Sequence, residues 1–179
     1  MKETSNNQLR EKAAKIKWFF CDIDGTLTDG GVYYSPEGEL LKRFSLRDGT
    51  GFFLLRQCGI KTGFITTENS PIVEQRAKKL KINKYIYGTH HKMDAMKDFL
   101  ASEGLMMDEV AFIGDDLNDI KLLKSCGLSF AVGDANQRVK DVADIVCENF
   151  GGRGVFREAA EILLSLMDTD VQEIIETSL

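Results

Sequence analysis

An open, Rossmann-like α/β sheet of parallel strands flanked by helices is the fold class the sequence predicts, on three observations. First, six short apolar runs punctuate the chain, at residues 18–23, 61–66, 84–87, 110–113, 128–132 and 145–147. They are continuously apolar more often than alternating, as parallel strands covered on both faces require. Second, longer amphipathic stretches lie between them and have readable ends. Asp48 is placed to cap a helix that Gly59 stops, Ser70 with Pro71 opens the next, and Asp134 with Gln137 fits a capping box. Third, strand and helix alternate throughout, the pattern of right-handed crossovers that leave a site at the carboxyl ends of the strands.

One segment breaks the alternation. Residues 30–46, GGVYYSPEGELLKRFSL, read as two β runs around the turn Ser35-Pro36-Glu37-Gly38, a hairpin inserted directly after the first strand. The stretch 155–179 is helical in pattern, and no linker, repeat or low-complexity tract is visible. A single domain over 1–179 is therefore expected, long enough for one sizeable core.

Composition narrows the class. No apolar run approaches the roughly 20 residues of a spanning helix. Residues 1–10 are polar without an apolar signal core, so a cytoplasmic protein is expected, with neither export nor membrane association. Cys21, Cys58, Cys126 and Cys147 are scattered in a way that fits neither a zinc site nor a disulfide framework, which suggests reduced thiols. A formal net charge of −5 argues against a nucleic-acid partner. It does not argue against a phosphorylated substrate, since a few placed cations and a metal hold phosphate inside an acidic protein.

Four short motifs carry chemistry. Asp22-Ile23-Asp24-Gly25-Thr26 ends the first strand, and a turn at Gly25 keeps both carboxylates near one point. Such a pair can divide attack from proton transfer, or bind a divalent cation; alone it reads equally as a turn or a calcium loop. Gly114-Asp115-Asp116-Leu117-Asn118-Asp119 follows another strand, and its crowded carboxylates call for a cation unless they only cap a helix. Thr66 ends the strand 61–66, where a hydroxyl and backbone N–H groups can hold phosphate oxygens or simply cap a helix. Lys92, after His90-His91, opens a helix over 92–103 and is a candidate phosphate cation, although an isolated lysine is usually a solvated one. Both acidic clusters fall at the same end of one parallel sheet.

In this order, the four motifs resemble those of the haloacid dehalogenase superfamily of phosphohydrolases, over residues 22 to about 158. The resemblance implies Asp22 as a phosphoryl-accepting nucleophile and Asp24 as general acid, then base. It implies Thr66 and Lys92 as phosphate binders, and Mg2+ held by Asp22, Asp115 and the backbone carbonyl of Asp24. Asp119 would orient Lys92, with Asp116 in support. Phosphoryl transfer asks mainly for positioning and for cations between two anions, which such an arrangement supplies.

Many members of that superfamily carry a cap domain, for which this chain has no room on either side of Thr66. The site is then expected to be covered by neighbouring subunits, with the hairpin as the assembly element and Val32, Tyr33 and Leu41 as its apolar contacts. The capless core, the hairpin and Gly151-Gly152-Arg153-Gly154 are similar to one branch, the 3-deoxy-D-manno-octulosonate 8-phosphate phosphatases. That resemblance implies a role in lipopolysaccharide precursor synthesis, a homotetramer, and Arg47 and Arg153 as contacts to the anionic sugar phosphate. One departure stands out: Thr67-Glu68 occupies the place of the branch's usual Gly-Arg. Glu68 and Lys79 are more like the nonulosonate 9-phosphate phosphatases, which makes a nine-carbon keto-sugar acid the alternative substrate. From another class, a non-catalytic assembly domain like those fused to sugar-nucleotide synthetases would need no acid/base residue, yet Asp24 is present. Transfer of the phosphoryl group to another alcohol would use the same residues. His90, His91, the aromatic pair Phe52-Phe53 and Met93, Met96, Met106 and Met107 read as structural.

Overall fold

The computed structural model describes residues 5–178. All six apolar runs form strands: β1 (Trp18–Cys21), β4 (Lys61–Ile65), β5 (Lys84–Ile86), β6 (Val110–Gly114), β7 (Leu128–Ala131) and β8 (Ile145–Val146). They build one parallel sheet in the order β5-β4-β1-β6-β7-β8. The chain winds outward from β1 through β4 to β5, then returns to the other side of β1 to lay down β6, β7 and β8. The winding thus reverses at β1, and the crevice beyond its carboxyl end is where such sheets place a site. The expected hairpin is also present, as β2 (Thr28–Ser35) antiparallel to β3 (Gly38–Phe44) and outside the main sheet.

Successive side chains of β1 point to opposite faces, and aromatic contacts identify what covers each one. Trp18 and Phe20 pack against Phe99 of α4 (Lys92–Glu103), with ring centroids 4.9 and 5.2 Å apart. Phe19 points the other way, onto Phe130 and onto Phe156 of α7 (Val155–Leu166). On that second face α7 crosses α2 (Arg47–Gln57) closely. Phe52 stacks on Phe156 at 3.8 Å, and a Cβ on Gly51 would come within 2.8 Å of the Arg157 Cα. Burial of both faces is why these strands read as unbroken apolar runs. Continuing the β1 alternation puts Asp22 on the α4 face.

Three details correct the sequence reading. Asp48 lies inside the first turn of α2 and does not cap its own helix. Its Oδ1 instead accepts hydrogen bonds from the N–H groups of Phe156 and Arg157, 3.0 and 3.2 Å away, at the start of α7. The Gly154 that precedes α7 has no side chain to do this, so the cap comes from a neighbouring helix. Asp134 does not form a capping box: Asn136 caps α6 (Gln137–Lys140), while Asp134 Oδ1 accepts from Gly151 N. Met106 is 68% exposed rather than packed, whereas Met96 is fully buried. The expected C-terminal helical stretch is two helices, α7 and α8 (Val171–Ser178), and residue 179 lies outside the described residues.

Among the described residues no helix is long and apolar enough to cross a membrane. All four cysteines are free, three of them buried.

Candidate active site

The site begins where β1 stops. Asp22 still donates its N–H to Ile113 O of β6, and the chain then folds into a tight turn in which Thr26 and Thr28 both donate to Ile23 O. Gly25 makes that turn affordable. Its φ is +90°, and a Cβ there would lie 2.1 Å from Asp115 Oδ2. The turn brings Thr26 beneath the second acidic motif, and Thr26 Oγ1 donates to Asp115 Oδ1 at 2.9 Å.

Lys92 occupies the first position of α4, on the face toward which Asp22 points. Its Nζ lies 2.6 Å from Asp22 Oδ1 and 2.7 Å from Asp119 Oδ1, and its side chain is 1% exposed. Burial lowers the lysine's proton affinity, but the two carboxylates more than reverse this and hold it charged. Both oxygens of Asp119 are engaged, because its Oδ2 also accepts the N–H groups of Asp115 and Asp116. A Cβ on Gly114 would collide with that side chain at 2.4 Å, so glycine is required there.

Carboxylate oxygens of Asp22, Asp115 and Asp119 all lie within 4.8 Å of one another. Burial, then Asp119, raises Asp22 to about 7. Burial, then Asp22 and Asp119, raises Asp115 to about 8. The cause of both shifts is the same: a cluster of buried carboxylates shares one lysine and lacks positive charge. Oxygen donors with that deficit fit a hard divalent cation such as Mg2+. Asp119 has both oxygens engaged by protein donors, whereas side-chain donors engage only one oxygen each of Asp22 and Asp115, which makes these two the better candidates to hold it.

Asp24, two residues beyond Asp22, is linked to the hairpin. Its Oδ1 lies 2.5 Å from the Nζ of Lys42 on β3, while its Oδ2 is buried without a hydrogen-bond partner. Sequence reasoning missed Lys42. Among the exposed residues of a hairpin, one lysine carries no signal that it turns inward.

The other candidates are less tightly gathered. Thr66 is buried just past β4, the strand beside β1, and its Oγ1 accepts the N–H of Glu68. Glu68 is exposed, as is Lys79 in the last turn of α3 (Pro71–Leu80), and neither forms an ion pair among the described residues. Asp116 is exposed beside the cluster and contributes its backbone N–H. Arg47 and Arg153 share a cavity of about 420 Å3 with Asn149, Arg157 and Glu158. The loop that carries Arg153 packs against the turn after β1. Gly152 donates to Thr26 O, and a Cβ on Gly151 would stand 2.0 Å from Gly25 O. The glycines of this loop therefore let it lie directly on the turn after β1. His90 and His91 are exposed and border a separate cavity with Lys97 and Lys121.

This fold and this cluster are those of a phosphohydrolase, and the chain belongs to the haloacid dehalogenase-like hydrolase family, which it matches over residues 65–158. Within that family it is similar to the 3-deoxy-D-manno-octulosonate 8-phosphate phosphatase of Haemophilus influenzae, with 36% identity over 156 residues and 87% of each chain covered. A solved structure of the Moraxella catarrhalis 3-deoxy-D-manno-octulosonate 8-phosphate phosphatase, in complex with magnesium, phosphate and the sugar acid, superposes with a TM-score of 0.91. Identity is 34%, and 97% of this chain and 99% of that one are covered. The cobalt-bound Haemophilus influenzae enzyme gives a TM-score of 0.84 at 36% identity, covering 88% of this chain and 92% of that one.

Proposed function

We propose that this protein is a magnesium-dependent phosphatase that hydrolyses 3-deoxy-D-manno-octulosonate 8-phosphate, with Asp22 as the nucleophile. The observation that carries this reading is the buried Lys92, bridging Asp22 and Asp119 beside Asp115 at the carboxyl end of β1. Similarity to magnesium- and sugar-bound phosphatase over nearly the whole chain supports the choice of substrate.

Asp22 attacks phosphorus in line with the departing sugar oxygen, while Asp24 gives that oxygen a proton. In the second half Asp24 takes a proton from water, which attacks phosphorus and frees Asp22. Lys92 holds Asp22 in place and offsets charge on the phosphoryl oxygens, and Thr66 with the N–H groups of its loop binds another of those oxygens. Asp22, Asp115 and the carbonyl of Asp24 would hold magnesium, which would supply the remaining positive charge needed between the two anions. Asp119 orients Lys92, and Asp116 supports Asp119 through its backbone.

Arg47 and Arg153 bind the anionic sugar acid from the cavity they share. The chain acts as one domain, 1–179, in the cytoplasm. Four copies assemble through the hairpins, and Glu68 and Lys79 contact the substrate. Supporting this assembly, Tyr33, Tyr34, Leu40 and Leu41 are 56–73% exposed on the hairpin. The bare glutamate at position 68 favours a nonulosonate 9-phosphate as the second reading.

Phosphate release from the eight-carbon and nine-carbon esters, measured side by side with magnesium, tests the substrate assignment. A clear preference for the octulosonate ester is expected. Preference for the nine-carbon ester would overturn it and make Glu68 the residue that selects the substrate.

A further inference from the structure

Lys42 is the most unusual side chain of the hairpin. Around it β2 and β3 are largely open to solvent, yet its side chain is only 2% exposed. Lysine is almost never buried unless paired, so the fold accepts this cost for the contact it makes. Two carboxylates receive it. Glu39 Oε1 stands 3.2 Å away without hydrogen-bond alignment, and Asp24 Oδ1 accepts a hydrogen bond at 2.5 Å.

The consequence for Asp24 is an asymmetry between its two oxygens. Oδ1 is fixed by Lys42, while Oδ2 is buried with no partner. A buried polar atom left unpaired is costly, and such atoms gather where a reacting group will arrive. We propose that Lys42 is a positioning residue that anchors Asp24 through Oδ1 and so reserves Oδ2 as the atom that transfers the proton. The role rests on the phosphatase reading above.

In the first half-reaction the proton leaves Asp24 Oδ2 for the sugar oxygen as its bond to phosphorus breaks and the bond from Asp22 forms. In the second, a water oxygen bonds to phosphorus, its proton goes to Asp24 Oδ2, and the Asp22–phosphorus bond breaks to release phosphate. Lys42 moves no proton. Because it is carried by the hairpin, the position of that insertion sets the geometry of proton transfer.

The test is single-turnover phosphorylation of the magnesium-loaded enzyme, using the octulosonate 8-phosphate and 4-nitrophenyl phosphate, in the parent and in Lys42→Met. The alkyl ester needs a proton on its leaving oxygen, whereas nitrophenolate leaves without one. Lys42→Met is expected to slow phosphorylation by the alkyl ester about 100-fold, with KM changed by less than about threefold, and to slow the aryl ester far less. Should that variant not fold, Lys42→Gln carries the same comparison and is expected to show the same asymmetry with a smaller loss. Equal loss on both esters, no loss on either, or a raised KM with kcat unchanged would overturn the proposal. A parent protein inactive on both esters would instead overturn the phosphatase reading, and this role with it.

Discussion

Lys92 donates a 2.6 Å hydrogen bond to Asp22, joining the first residue of α4 to the first residue beyond β1 in a pair almost closed to solvent. Strand alternation aims Asp22 at that helix, and the packing of Phe99 on Trp18 and Phe20 sets the helix at the required distance. The lysine is thus held by the core as well as by its charges.

Replacing Lys92 with Met would leave Asp22 and Asp119 buried without a cation. Activity is expected to fall about 10³-fold. Stability should fall by about 3–5 kcal/mol, the usual cost of breaking a buried pair. Phosphate release and chemical unfolding of the purified variant measure the two losses separately.

Magnesium should stabilise the fold, because Asp22 and Asp115 repel one another without it. At a concentration about 100 times its Kd, a ligand of the folded state adds roughly 2.7 kcal/mol, or about 5–10 °C in unfolding temperature for a chain of this size. Asp115→Asn is expected to lose most of that rise. Thermal unfolding with and without magnesium shows it, independently of turnover.

Asp48 predicts a pH dependence. Burial raises its carboxyl to about 6, against the opposing pull of the Arg157 and Phe156 N–H groups and of Arg76. An unfolded aspartate titrates near 3.9, so the folded state binds this proton more tightly. Stability from the group is fully present below about pH 4 and is lost as pH rises through about 6, in total on the order of 2–3 kcal/mol. Asp48→Asn keeps an oxygen for the α7 cap and removes the titration. Urea unfolding of both proteins between pH 4 and 6.5 should show parent stability declining relative to the variant; parallel curves would refute the assignment.

Gly151→Ala should disturb the site from outside it. The added methyl would meet Gly25 O at 2.0 Å, so either the loop or the turn after β1 must shift. A cost of about 1–3 kcal/mol is expected, together with reduced kcat, measured by unfolding and phosphate release.

Tyr33 and Leu41 face one another across the hairpin and are both well exposed. Introducing lysine at both is expected to convert the proposed tetramer to smaller species in sedimentation, with the circular dichroism spectrum unchanged.

The sheet was legible because its strands are buried on both faces, which makes each an unbroken apolar run. The acidic motifs were legible because strand ends make residues such as Asp22 and Asp115 converge. What escaped depends on tertiary contact. Asp48 reads as a cap for the helix it begins, but the donors it serves lie more than 100 residues away, on α7. Lys42 sits opposite Val32 in an exposed hairpin, and only the fold turns it toward Asp24. Local sequence carries no sign of either contact.

The most direct test is phosphate release from the octulosonate 8-phosphate, with magnesium, by the parent and by Asp22→Asn in parallel. Steady turnover by the parent is expected, with a loss of about 10⁴-fold or more in the variant, as removing a nucleophile brings. A variant as active as its parent would contradict Asp22 as nucleophile, and a parent that releases no phosphate would contradict the function itself.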